Sequence, residues 1–105
     1  MQIHIRENSW VAKMAAAKLR SAKVAIVFGK TIHLYNTSRQ EFLNDKKWVC
    51  HELKHVQQYQ QHGFVGFLGK YLIESIRKGY YNNRFENEAR QNETNMELLK
   101  NIEFV

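Results

Sequence analysis

Apolar and polar residues alternate over Gln2-Ile3-His4-Ile5-Arg6, the period of a short strand, so segment 1–8 is expected to be either a strand of a sheet or a short plug. After Ser9, an N-cap residue type, the period lengthens. Trp10, Val11, Met14, Ala15 and Leu19 fit a helical stripe, which predicts a helix from Trp10 to about Arg20. Val24-Ala25-Ile26-Val27-Phe28 and Thr31-Ile32-His33-Leu34-Tyr35 flank Gly29-Lys30 and read as a β-hairpin with Gly first in a two-residue turn. The first of these strands is apolar on both faces, so other elements must cover both sides.

Residues 36–44 form a polar connection with a Ser38-x-x-Glu41 capping box, enough for one helical turn. Asn44 or Asp45 can cap the next helix, Lys46 to about His62, whose apolar positions Trp48, Val49, Leu53, Val56 and Tyr59 mark a buried side. Gly63 ends it. Phe64, Phe67, Leu68, Tyr71, Leu72 and Ile76 then repeat with a 3.6 period over 64–78, with Phe64, Phe67 and Tyr71 read as core and Gly79 as the C-terminal cap. A last helix is expected after Asn82 or Asn83, running to about Asn101 with Phe85, Ala89, Met96 and Leu99 inward. The fold class expected is α+β, mostly helical with one hairpin.

A chain of 105 residues predicts one domain, 1–105. Its 44% hydrophobic and 25% charged content is that of a globular protein and excludes disorder. The formal charge of +6 is spread from Arg6 to Lys100, with Lys46-Lys47 the only dense pair, so charge does not point to nucleic acid. Cys50 is the single cysteine, which excludes an intramolecular disulfide and reads as a small buried hydrophobe. The start carries no apolar signal region and no segment reaches the length of a membrane span; the expectation is a cytoplasmic protein with no membrane partner, export without a cleaved signal remaining open.

The chemistry lies in His51-Glu52-Leu53-Lys54-His55, an HExxH pattern inside the predicted 46–62 helix. Two imidazoles four residues apart share a helix face and can bind one metal ion, and the intervening Glu can take a proton from a metal-activated water. A third ligand is required. His62 is two helical turns beyond His55, too far to complete the site easily; His33 on the hairpin can approach; Glu86 or Glu88, early in the last helix, is the better candidate. Glu86 has a competing role, since Asn83-Arg84-Phe85-Glu86 also reads as a capping box.

HExxH followed by a helix bearing Glu86-Asn87-Glu88-Ala89 resembles the gluzincin zinc metallopeptidases. More narrowly, His51-Glu52-Leu53-Lys54-His55-Val56-Gln57-Gln58 with a downstream Glu-x-Glu-Ala resembles the HExxH peptidase domain often encoded with extracellular contractile injection systems. The resemblance covers roughly Ser9 to Arg90 and implies a minimal zincin-like layout: backing helix, hairpin, HExxH helix, connecting helix, glutamate helix. It implies Zn²⁺ held by His51, His55 and Glu86, and Glu52 as general base. It also implies that an extended peptide or protein substrate pairs with one strand of residues 24–35. Many gluzincins place Asp directly after that Ala, where it orients a ligand His. Here the residue is Arg90, leaving Glu88, Asn87 or Glu93 to substitute. Tyr80, Tyr81 and His62 are the local candidates for stabilising the transition state. The reading is a zinc-dependent peptidase; the alternative is a weakly active or inactive metal-binding module acting in protein binding or assembly.

Overall fold

In the computed structural model, which describes residues 1–105, the alternating N-terminal segment is a strand, β1 (Gln2–Arg6), followed by helix α1 (Trp10–Leu19). The hairpin strands are β2 (Val24–Phe28) and β3 (Thr31–Tyr35), and helices α2 (Arg39–Asn44), α3 (Lys46–His62), α4 (Phe64–Asn82) and α5 (Arg84–Gln91) follow. A 3-10 turn, Met96–Leu99, leads to a short strand, β4 (Glu103–Phe104). The architecture is mixed α/β, five helices with one four-stranded sheet in the order β2-β3-β1-β4. Only β2 and β3 run antiparallel; β1 lies parallel to β3, with Ile5 opposite Ile32, and parallel to β4, with Ile3 opposite Phe104. Segment 1–8 is therefore largely a strand, not a plug.

Alternation in the strands sorts their side chains onto two faces. Ile3, Val27, Ile32 and Leu34 meet Phe42, Val49, Leu53 and Val56 in the main core. Val24, with Ile26 and Tyr35 beside it, meets Ala12 and Ala16 on the opposite face. Both sides of β2 are covered, as its two-sided apolar pattern requires. Burial of Val49, Leu53 and Val56 contributes roughly 1.5–3 kcal/mol apiece. That burial fixes the rotation of α3 on the sheet and sends His51 and His55 to its other side.

Local signals account for the helix starts. The Ser38 hydroxyl accepts from Glu41 N at 3.0 Å while the Glu41 carboxylate accepts from Ser38 N at 3.3 Å, a complete capping box for α2. Asp45, not Asn44, caps α3 by accepting from Trp48 N at 3.2 Å. Gly63 (φ 76°, ψ 161°) and Gly79 (φ 79°, ψ 167°) occupy backbone regions essentially restricted to glycine. The first turns the chain from α3 into α4, and the second kinks α4 near its end so that the chain can enter α5.

Three expectations are corrected. The large residues of the α1 stripe do not pack: Trp10 is 71% exposed and Met14 is exposed, whereas Ala12 and Ala16 are buried. Small side chains four residues apart let the helix axis approach the sheet closely, and the bulky ones sit outside that contact. In α4, Phe67 is buried and Tyr71 packs on the core, but Phe64, Leu72 and Ile76 are exposed. The last helix stops at Gln91 instead of Asn101. Asn92 and Asn95 capture local groups there, with Asn92 Nδ2 donating to Glu88 O at 2.8 Å and Asn95 Nδ2 to Asn92 Oδ1 at 3.0 Å. The chain then returns so that Leu98, Leu99 and Ile102 pack on the core, with Met96 exposed.

Candidate metal centre

Helix α3 carries no Gly or Pro, and its 17 residues hold His51 and His55 on one face with ring centroids 5.2 Å apart. Helix α5 crosses that face. Its start is pinned by Asn83, which is fully buried. Asn83 Oδ1 accepts from Phe85 N at 2.8 Å, and Nδ2 donates to Tyr71 O at 3.0 Å and to Ser75 Oγ at 2.9 Å. One turn on, Glu86 projects between the two imidazoles. Its Oε1 lies 3.0 Å from His51 Nε2 and 3.2 Å from His55 Nε2, and its Oε2 accepts from the Tyr71 hydroxyl. The capping-box role of Glu86 is not realised, because its carboxylate turns to the histidines and leaves the cap to Asn83.

One donor atom each from His51, His55 and Glu86 falls within 4.8 Å of the others, which makes this trio a possible metal-binding site. The donor chemistry fits a cation. Each imidazole has an acceptor at Nδ1: Glu93 Oε2 for His51 at 2.9 Å and Gln58 Oε1 for His55 at 2.8 Å. With Nδ1 held in this way, Nε2 of each ring donates to Glu86 Oε1 in the metal-free protein, and loss of that proton would present the Nε2 lone pair a metal ligand needs. Gln58 is itself fixed, its Nε2 donating to Glu88 Oε1 at 2.8 Å and to Phe85 O at 3.2 Å.

Ionisation reflects the same packing. Burial opposes charge on His51, but hydrogen bonds to Glu86 and Glu93 and the nearby Glu52 carboxylate outweigh it and push its pKa up to about 9. His55 is also raised: burial opposes its charge, and Glu86 and Glu52 outweigh it. For Glu86 burial opposes ionisation, yet its hydrogen bonds from both histidines hold the carboxyl well below the usual range. Glu52, buried beside the trio, is pushed up to about 7 by burial, with His55 and His51 opposing.

The other sequence candidates lie elsewhere. His33 accepts or donates through Nδ1 with Ser9 Oγ at 2.9 Å, and His62 sits with Lys70 Nζ at 3.1 Å from its Nδ1. Neither joins the trio. Glu88 supports Gln58 and is not among the three. Arg90 stacks on Tyr81 at 4.2 Å and bonds Tyr81 O and Asn87 Oδ1, so neither Arg90 nor Asn87 orients a histidine. Of the three proposed substitutes for the missing Asp, Glu93 orients His51 directly, and Glu88 acts only through Gln58. Cys50 is fully buried, its thiol 3.6 Å from Asn95 O, in keeping with a small hydrophobe.

Two contributors were missed at the level of sequence. Tyr71 packs on the core as its spacing predicts, and its hydroxyl also reaches Glu86; the need of a buried phenol for a hydrogen-bond partner is the signal. Gln58, a fully buried amide three residues after His55, carried a similar signal.

A cleft of about 550 Å³ opens beside the trio, lined by His51, Glu52, Trp48, Tyr80 and Glu93 together with Val24 and Ala25 of β2. β2 is an outer strand of the sheet, so its unpaired edge faces this side. Tyr80 has its phenol pKa raised above the usual range by burial, then by Glu86 and Glu52, and stays a hydrogen-bond donor. Comparison with protein-family models, curated proteins and solved structures finds no match for this chain.

Proposed function

We propose that this protein is a zinc-dependent peptidase of minimal gluzincin type. The observation that carries the reading is the convergence of His51, His55 and Glu86 next to a buried Glu52, with His51 and Glu52 lining a cleft that β2 borders. The order of elements supports it: α1, the β2–β3 hairpin, α3 with the HExxH pattern, α4, then α5 with Glu86. Two imidazoles and one carboxylate are a donor set suited to zinc that leaves a position free for substrate.

His51 Nε2, His55 Nε2 and a Glu86 oxygen would hold the ion. When bound, zinc supplies a Lewis acid that polarises a peptide carbonyl and acidifies water near neutrality. Glu52 accepts the proton of the attacking water and delivers it to the leaving amine; the peptide C–N bond breaks and a C–O bond forms. Burial raises the Glu52 carboxyl in the metal-free protein, and a carboxylate placed beside the trio is a suitable general base. The edge of β2 holds an extended peptide by main-chain hydrogen bonds, and Tyr80 offers its hydroxyl toward the cleft.

The test is turnover of an unstructured peptide library by zinc-loaded protein, with Glu52→Gln as the control. Cleavage lost in Glu52→Gln while zinc is retained supports the peptidase. Stoichiometric zinc without cleavage in either form favours the second reading, a metal-binding module for protein assembly, to which the exposed Trp10 and Met14 of α1 lend support.

A further inference from the structure

Helix α4 has a third face that neither the core nor the metal centre uses. Its inner side carries Phe67 and Tyr71. On its outer side Val65 is 81% exposed, Leu72 53%, Ile73 54% and Ile76 85%. At helical spacing these four aliphatic side chains fall within an arc of about 100°. All four are more than half exposed, and exposed apolar surface gathered on one helix face marks an interaction site.

Charge identifies the partner. Lys70 and Arg77 are exposed and flank the arc on one side, also at helical spacing. The one acidic residue of α4, Glu74, has a side chain only 16% exposed and lies 3.9 Å from both Lys78 and Arg84. The outward side of α4 is thus apolar and cationic, with its single acid turned away and neutralised. A second copy of the chain would bring the cations of two such faces into one interface, with no free acidic side chain on α4 to pair with them. An anionic bilayer meets both features, taking the aliphatic side chains below its headgroups and the cations among them.

We infer that the outer face of α4 seats the protein on an anionic membrane surface. No helix is long and apolar enough to cross a membrane, and a helix lying in the interface has no such requirement. Since the inner side of α4 supplies Tyr71 to Glu86, the same helix would hold the metal centre at a set distance from the lipid.

The experiment is co-sedimentation of the full chain with vesicles of phosphatidylcholine alone and of phosphatidylcholine mixed with phosphatidylserine. Variants are Leu72→Glu with Ile76→Glu, and Lys70→Glu with Arg77→Glu, all at exposed positions, their folding checked by circular dichroism. Binding to the anionic vesicles is expected, weakening with salt, falling at least tenfold in the aliphatic pair and about fivefold for each cation removed. Absence of binding to anionic vesicles overturns the inference, as does equal binding by the folded variants. Concentration-dependent dimerisation abolished by Leu72→Glu with Ile76→Glu, without vesicle binding, also overturns it and assigns the face to a second copy. None of these outcomes depends on whether the metal centre cleaves peptides.

Discussion

Glu93, in the turn that follows α5, holds Nδ1 of His51 at 2.9 Å across a separation of 42 residues. Arg90, by contrast, turns to Tyr81 and contacts no histidine.

Removing that carboxylate tests its role. Glu93→Ala is expected to weaken zinc affinity by about 10–100-fold. Glu93→Gln, which retains an acceptor oxygen, is expected to lose less. A competition titration against a chromophoric chelator measures both, and an unchanged affinity in Glu93→Ala would show that His51 needs no orienting partner.

Glu86 and Glu88 separate cleanly. Glu86→Ala should abolish stoichiometric zinc binding, as should His55→Ala. Glu88→Ala should keep the metal, since Glu88 reaches the centre only through Gln58 and is half exposed. Elemental analysis of the purified variants reads the difference; zinc retained in Glu86→Ala and lost in Glu88→Ala would exchange their roles.

Tyr71→Phe keeps the ring packed against Phe67, 5.7 Å between centroids, and removes only the hydroxyl that donates to Glu86. Zinc affinity is expected to fall several-fold, with stability changed by about 1–2 kcal/mol. Equal affinities of the variant and wild type would leave Tyr71 a packing residue.

The pH dependence has a definite sign. His51 has its pKa raised from 6.5 to about 9, so in metal-free protein its contribution is fully present below pH 6.5 and is lost as pH rises through 9. Glu52, raised from 4.5 to about 7, acts in the same direction across a lower window, its contribution lost as pH rises through 7. Metal-free protein should therefore lose stability of order 2 kcal/mol between about pH 6.5 and 9, roughly 10 °C in Tm. Zinc-loaded protein should show the opposite trend, because the metal needs the deprotonated imidazoles and its binding releases protons. Thermal melts with chelator and with zinc across this range provide the check.

Close approach of α1 to the sheet predicts asymmetric tolerance along that helix. Ala12→Leu, at a fully buried position, should cost about 1–3 kcal/mol through overpacking. Met14→Ala, at an exposed one, should stay within about 0.5 kcal/mol. Denaturant melts of the two variants give the comparison, and similar costs would place Met14 in a packed interface.

Most element positions were legible along the chain because their causes are local. The 2.0 period of 2–6, the Gly29-Lys30 turn, the Ser38–Glu41 box and the glycines at 63 and 79 each act within a few residues, and each appears in the structure. Reading failed where a local period had two interpretations. The bulky residues of α1 and the outer ones of α4 repeat at helical spacing like core residues, and a period cannot say which side of a helix meets the sheet. The stop at Gln91 was missed because the asparagines that end α5 lie within a segment that still carries apolar residues at helical intervals.

The sequence by itself determined that His51 and His55 share one helix face with Glu52 beside them, because helix geometry alone relates positions four apart. It also restricted the third ligand to a short list of residues. Only the tertiary structure decided that Glu86, 35 residues from His51, is the one between the imidazoles. The same is true of Glu93, Gln58 and Tyr71 as the groups that hold His51, His55 and Glu86, and of the side of α4 left open to solvent. Those relationships depend on how α4 and α5 are rotated and shifted against α3. Burial of Phe67, Phe85 and Asn83 across elements distant in sequence sets that rotation, and no local spacing encodes it.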